Sequence, residues 1–276
     1  MPSLYRFTTF QAVVDMNQRK QLTLVSPSLW LDPYEGYVYA AVKTAEGRKR
    51  VAAELAKHMQ PVPAEGALQL LTILDSLYFV QCWSRKPESD ALWRIYSHDN
   101  MSVRIEVDQA SFSLLEYVFV DNVIYLPNLN LESEVRELLS ADGLSLHGRR
   151  ALLTKRDAFQ HEEEVRIIVQ GDTENMTRAA TQPGYVEQWQ QALTQAVQAG
   201  QMPPTEASSI LSRVRDEHGP PRKLLRKSFD HVPQFVKSLM LHPLAPSWLD
   251  DTLAEYCRIH GIHYLGKSKL YDFSIQ

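Results

Sequence analysis

The sequence predicts an α+β fold. Strand-like and helix-like runs alternate irregularly, and several strand runs lie close together in the chain. Nowhere do a strand, a Gly-rich turn and a helix follow one another as a doubly wound dinucleotide-binding sheet requires. With 276 residues and 44% hydrophobic composition, the chain buries a sizeable core as a single domain, residues 1–276, carrying one insertion.

Thr8 or Thr9 caps a first helix bearing Phe10, Val13, Val14 and Asn17 on neighbouring turns, and Leu22 to Ser26 reads as a short strand. Pro27 and Asp32-Pro33 interrupt regular structure. Two helices follow, Ala45 to Met59 and Glu65 to about Ser76, separated by a Pro61/Pro63 linker. Leu77 to Ser84 is extended. Ser89 precedes an amphipathic turn with Leu92, Ile95 and Tyr96; Met101 to Val107 and Tyr117 to Leu126 read as strands, and Leu131 to Leu139 as a helix. In FQHEEEVRIIVQG, residues 159–171, alternation sends Val165, Ile167 and Val169 into a core. Glu162, Glu164 and Arg166 then share the opposite face, displayed to solvent.

From Tyr185 to His218 the composition turns Gln- and Ala-rich. Val186, Trp189, Leu193 and Val197 form one helical stripe; Ile210, Leu211 and Val214 mark a second helix after Pro203-Pro204. Residues 185–218 therefore read as an inserted helical hairpin. Its loop-like exit, 213–227, holds Arg213, Arg215, Arg222, Lys223, Arg226 and Lys227. A strand from Phe235 to Leu241, a helix from Ser247 to His260 stopped by Gly261, and a strand from His263 complete the chain.

A net charge of −4 and a pI near 6.1 give no global attraction to nucleic acid or anionic membrane. Cys82 and Cys257 form no metal-type pair and read as buried thiols in a reducing compartment. The amino terminus lacks a signal-peptide pattern and no run is long enough to span a bilayer, so no membrane partner and a cytoplasmic location are expected. P-loop, zincin, serine-hydrolase and CxxC signatures are absent. The nine histidines form no obvious ligand set and read as surface or capping residues, so no metal is assigned. Taken singly, the remaining polar residues have structural explanations. Trp83, Trp93 and Tyr96 suit a core, Asp32 and Glu35 a turn, and the Glu-rich face a solvated edge.

Their order is more informative. LYRF (4–7), SPSLWLDPYE (26–35), CWS (82–84) with SDALWRIYS (89–97), and HEEEVRI (161–167) together resemble a bacterial family, domain of unknown function 2971. The tail SKLYDF is similar to the family's closing strand, so the resemblance spans nearly the whole chain. Leu92 stands where the family has Met, an apolar exchange of similar volume. The Gln-rich hairpin is longer than the family pattern.

The arrangement in turn looks like that of ADP-ribosyltransferases: Arg or His on an early strand, Ser/Tyr on a middle strand, Glu on a late one. It implies a mixed, mostly antiparallel split sheet around a cleft with flanking helices. It also implies an NAD-dependent ADP-ribosyltransferase of the bacterial toxin or phage-defence type, with NAD as substrate. The acceptor is then a protein or nucleic acid, and an antitoxin a partner. On this resemblance Glu164 bonds the ribose 2'-hydroxyl and Glu162 positions or deprotonates the acceptor. Arg6 holds the pyrophosphate, Ser84 bonds ribose or carboxamide, Tyr5, Trp83 or Tyr96 stacks on nicotinamide, and Arg166 keeps a carboxylate ionised. The chemistry needs such a set, because positive charge grows on the ribose as the glycosidic bond breaks. Two alternatives stand beside it: a metal-dependent nuclease using Asp32 or Asp108 with Glu162 or Glu164, which lacks the usual lysine on the carboxylate strand, and a non-catalytic binding or sensor module.

Overall fold

A computed structural model describes residues 2–58, 64–139, 147–182, 184–232 and 234–272. The Pro61/Pro63 linker and Phe273 of SKLYDF lie outside them. The strands are β1 (Ser3–Thr9), β2 (Gln21–Val25), β3 (Tyr78–Ser84), β4 (Ser102–Asp108), β5 (Val118–Asn122), β6 (Ile124–Leu126), β7 (Thr154–Arg156), β8 (Glu164–Gln170), β9 (Leu224–Ser228), β10 (Ser238–Leu241) and β11 (His263–Lys267). The helices are α1 (Phe10–Arg19), α2 (Tyr37–Ala41), α3 (Ala45–His58), α4 (Ala64–Leu77), α5 (Asp90–Tyr96), α6 (Gln109–Ser113), α7 (Leu131–Leu138), α8 (Gly148–Ala151), α9 (Thr173–Ala180), α10 (Tyr185–Gln198), α11 (Pro204–His218) and α12 (Ser247–His260).

The fold is α+β, with a mixed, mostly antiparallel sheet flanked by helices. The main sheet runs β11-β10-β4-β1-β3-β2-β9, with β8 pairing β3 and β5 off that path, and β10–β11 is its parallel pair. β8 pairs β3 along its full length, from Tyr78↔Gln170 to Ser84↔Glu164. On its other side β3 shares one pair with β1, Tyr5↔Ser84, and one with β2, Val25↔Val80. The sheet forks there.

Both faces of the central strands are covered. Val165, Ile167 and Val169 enter a core with Leu4, Ile105, Leu239 and α12, as their alternation predicts. The opposite face, expected to be wet, lies under α2, α3, α4, α7 and α8, whose apolar residues pack on Val80 and Ile168. Period-2 alternation sorts side chains into two sets without saying which set meets water.

Several local expectations hold. Thr9 caps α1 by accepting the Ala12 amide at 3.3 Å, and Gly261, with φ of 66°, ends α12 in the left-handed conformation that glycine tolerates. Tyr117–Leu126 is two strands, β5 and β6, broken at Val123. The tail after Lys267 turns at Lys269–Asp272 instead of continuing as a strand. The basic exit is a loop only in part: Arg222 and Lys223 lie between elements, while Arg213 and Arg215 lie on α11 and Arg226 and Lys227 on β9, paired with β2. α10 and α11 pack on each other, tied by Arg215 to Gln190 at 2.9 Å. Among the described residues no helix is long and apolar enough to cross a membrane.

Candidate functional site

The fork creates the site. Where β1 and β2 diverge, the middle of β3 loses its ladder partners on that edge, and side chains replace them. Arg6 Nη1 donates to the Cys82 carbonyl at 2.5 Å, and Gln81 Nε2 donates to the Thr23 carbonyl at 3.1 Å. Between the prongs lies a cavity of about 220 Å³ lined by Tyr5, Arg6, Trp30, Trp83, Ser84, Tyr96, Glu162 and Glu164, among others. A second cavity, of about 330 Å³, adjoins it across Arg6 and is also lined by Thr8, Asp15 and Ile105. Sites that enclose drug-sized ligands run to roughly 300–1,000 Å³, so the first cavity alone holds one end of a dinucleotide, not the whole.

Strand register brings the motifs side by side: Tyr5 on β1 is opposite Ser84 on β3, which is opposite Glu164 on β8. Glu162 arrives differently. It ends a 3-10 turn, Asp157–Glu162, not a strand, and Glu163 takes a left-handed φ of 43°. That residue turns the chain so that Glu162 and Glu164 still converge, while the Glu163 side chain points outward to Lys86 at 3.5 Å.

The expected solvent display of Glu162, Glu164 and Arg166 is corrected by their burial. Glu164 is 4% and Arg166 0% exposed. Arg166 Nε meets Glu164 Oε1 at 2.8 Å, and Arg166 Nη2 meets Glu35 Oε2 at 2.9 Å. The buried Lys155 ammonium touches three carboxylates: Glu162 at 2.8 Å, Glu164 at 2.9 Å and Glu35 at 3.0 Å. Three acids share these two cations, and Arg6 is a third cation on the cavity wall.

The two site acids are driven apart. Burial raises both, but at Glu164 it is outweighed by Arg166 and then Lys155, which hold the carboxyl down at about 2. At Glu162 burial wins over the contact with Lys155, with Glu164 and Glu35 adding repulsion, so its carboxyl is raised. Oppositely perturbed acid pairs are the pattern by which one site separates a permanent anion from a proton carrier. Arg6 is lowered by burial, and the Tyr96 phenol is raised by burial and then by Glu162. The Cys82 thiol is also raised, by burial and then Glu164, so it is no thiolate nucleophile.

Seven of the eight sequence-predicted residues line the cavity: Arg6, Tyr5, Ser84, Trp83, Tyr96, Glu162 and Glu164. The eighth, Arg166, lies behind Glu164 and bonds to protein groups, including the Leu152 carbonyl at 2.5 Å. It is not a ligand contact, although it does keep Glu164 ionised as expected. Two other roles change. The Ser84 hydroxyl donates to the Glu162 carbonyl at 2.6 Å and accepts the Lys86 amide at 3.0 Å, so it ties the Glu162 turn to β3. The Trp83 ring packs edge-on to Phe112 at 5.3 Å and is a core group rather than a stacking surface.

Sequence reasoning missed Lys155 altogether and assigned Glu35 to a turn. The turn is real: Asp32 Oδ1 accepts the Tyr34 amide at 3.0 Å, but Glu35 continues into the cluster. The polar pair Lys155-Arg156 after the apolar Ala151–Leu153 was the available signal. The lysine that a nuclease reading lacked on β8 thus comes from β7. With Arg166 it occupies oxygens of Glu35, Glu162 and Glu164. Among the described residues no three His, Cys, Asp or Glu are grouped to hold a metal. His242, read as a surface or capping residue, is buried against Trp93 at 5.1 Å and accepts the Leu244 amide at 3.1 Å, a capping contact made inside the fold.

No protein-family model, no curated protein and no solved structure matches this chain.

Proposed function

We propose that the chain is an NAD-dependent ADP-ribosyltransferase whose forked cavity takes the nicotinamide riboside end of the dinucleotide. One observation carries the reading: Arg6, Ser84 and the pair Glu162 and Glu164, from three separate motifs, converge on a single cavity at a split in the sheet. Arg6 borders both cavities, a position suited to a pyrophosphate that joins two nucleoside halves. The ionised Glu164 faces charge that grows on the ribose while the C–N bond breaks and nicotinamide leaves with the bonding pair. The acceptor's nucleophilic atom then bonds to the ribose carbon, and its proton passes to Glu162, whose raised carboxyl makes it a better proton acceptor than an ordinary carboxylate. An acceptor of protein or nucleic acid, a toxin or phage-defence role and a neutralising antitoxin follow from the family resemblance.

A second reading has its own support. Both Glu164 oxygens are engaged by Arg166 and Lys155, and the Ser84 hydroxyl is engaged by backbone, as in a site that binds without turnover.

The test is chromatographic detection of nicotinamide after incubation with NAD. Wild type should release it, and Glu164→Gln should lower release by about 10²–10³-fold, the usual loss for a group that stabilises developing charge. Glu162→Gln, read by transfer to a lysate acceptor, covers the case in which Glu164→Gln fails to fold. Full release in a folded Glu164→Gln variant removes the catalytic assignment. NAD binding without any release selects the binding-module reading.

A further inference from the structure

Lys155 is the one member of the cluster that touches all three acids. It sits on β7, a strand paired among the described residues with β6 alone and followed at once by the 3-10 turn that ends in Glu162. It is nearly fully buried, with the Phe159 ring 4.8 Å from its ammonium. Arg166 contacts Glu164 and Glu35, and it is Lys155 that meets Glu162, at 2.8 Å.

We propose that Lys155 is the positioning residue of the site: one buried ammonium, shared by three carboxylates, sets where Glu162 and Glu164 stand and offsets the negative charge of both. A lysine suits this because three donors on one compact charge serve three acceptors, which a planar guanidinium cannot do from one point. The groups facing the two acids are few. Arg166 lies on β8 and Glu35 before α2; the Tyr125 hydroxyl on β6 accepts the Glu164 backbone N–H at 2.8 Å; Tyr96 lies on α5, Cys82 on β3 and Arg6 on β1. Arg6 and Arg166 are the other cations in that set. Neither can replace Lys155 at Glu162 without leaving its own partner, the Cys82 carbonyl or the Glu164 carboxylate.

The catalytic part of this inference rests on the ADP-ribosyl-transfer reading; the electrostatic part does not. The experiment therefore has two readouts on the full chain. Side-chain carboxyl ¹³C titration, assigned with Glu162→Gln and Glu164→Gln, follows both acids in wild type, Lys155→Met and Lys155→Arg. Lys155→Met should raise the titration midpoints of both acids by about one pH unit or more, a tenfold gain in proton affinity, and Lys155→Arg should restore at least that of Glu164. Nicotinamide release should then lose kcat more than KM, with its acid limb moved to higher pH. If Lys155→Met does not fold, Lys155→Met with Glu35→Gln removes one cation and one anion together and leaves both reporters in place. Midpoints equal to wild type in a folded variant overturn the proposal. Moved midpoints in a chain that releases no nicotinamide uphold Lys155 as the positioning residue and remove only the transferase reading.

Discussion

Two ion-pair networks in this molecule have nearly the same bond lengths and opposite surroundings. At the fork, Arg166 and Lys155 meet Glu164, Glu162 and Glu35 at 2.8–3.0 Å with every side chain buried or nearly so. Below the helical hairpin, Arg222 meets Asp172 at 2.9 Å and Glu174 at 2.6 Å, and Arg178 meets Glu174 at 2.7 Å, with Arg222, Asp172 and Glu174 all at least a third exposed. Distance alone does not rank them. Water screens the second network and leaves it worth little, whereas in the first each charge depends on its neighbours because nothing else solvates it.

Removing one partner from each network is the strongest way to break this comparison. Arg166→Met leaves Lys155 alone against three buried carboxylates and should cost about 3–5 kcal/mol in urea unfolding, the usual penalty for an uncompensated buried charge. A loss below 1 kcal/mol would mean that water reaches the cluster. The same reasoning applies to Glu164: its replacement disturbs a buried network, so any loss of activity must be read beside a melting curve.

A buried acid held by neutral donors, with Arg166 acting on it only weakly, sharpens the contrast. Glu134 on α7 accepts the Tyr37 amide at 3.1 Å, the Val38 amide at 2.5 Å and the Thr154 hydroxyl at 3.1 Å, pinning the start of α2 to β7. Burial outweighs these neutral donors and pushes its carboxyl up to about 7. The sign follows from linkage. Because the folded value lies above the unfolded one, the contribution of Glu134 to stability is full below about 4.5 and is lost as pH rises toward 7. Glu164 runs the other way, its contribution present above about 4.5 and lost as pH falls toward 2. Glu134→Gln should therefore flatten the decline between pH 5 and 7.5 by something on the order of 3 kcal/mol, measured by urea unfolding at both values. An unchanged slope would place the Glu134 carboxyl in contact with water.

The smallest effect is expected at the exposed network. Arg222→Ala should change stability by less than about 1 kcal/mol, and by less still at high salt, checked by thermal melting at two ionic strengths. A loss matching that of Arg166→Met would erase the distinction between the two networks.

Much of this was legible in advance. Helices with a clear apolar stripe, such as α1, α10 and α12, lie where 3.6-residue periodicity and capping residues put them, because those signals are local. β8 showed its core-facing set, Val165, Ile167 and Val169, for the same reason. Short or irregular pieces were not legible: β6 and β7 have three residues each, and the Glu162 turn depends on a left-handed Glu163 that nothing in its composition marks.

By itself, then, the sequence determined the α+β class, the helical stripes and which residues of β8 alternate together, all properties of neighbours along the chain. Only the tertiary structure decided that the polar side of β8 would be roofed by helices, that β1 and β2 would part over the middle of β3, and that Lys155 and Glu35 would join acids well separated from Glu35 in sequence. The reason is physical: burial and charge pairing depend on what packs across a face, and no residue carries that information about partners that the chain brings from elsewhere.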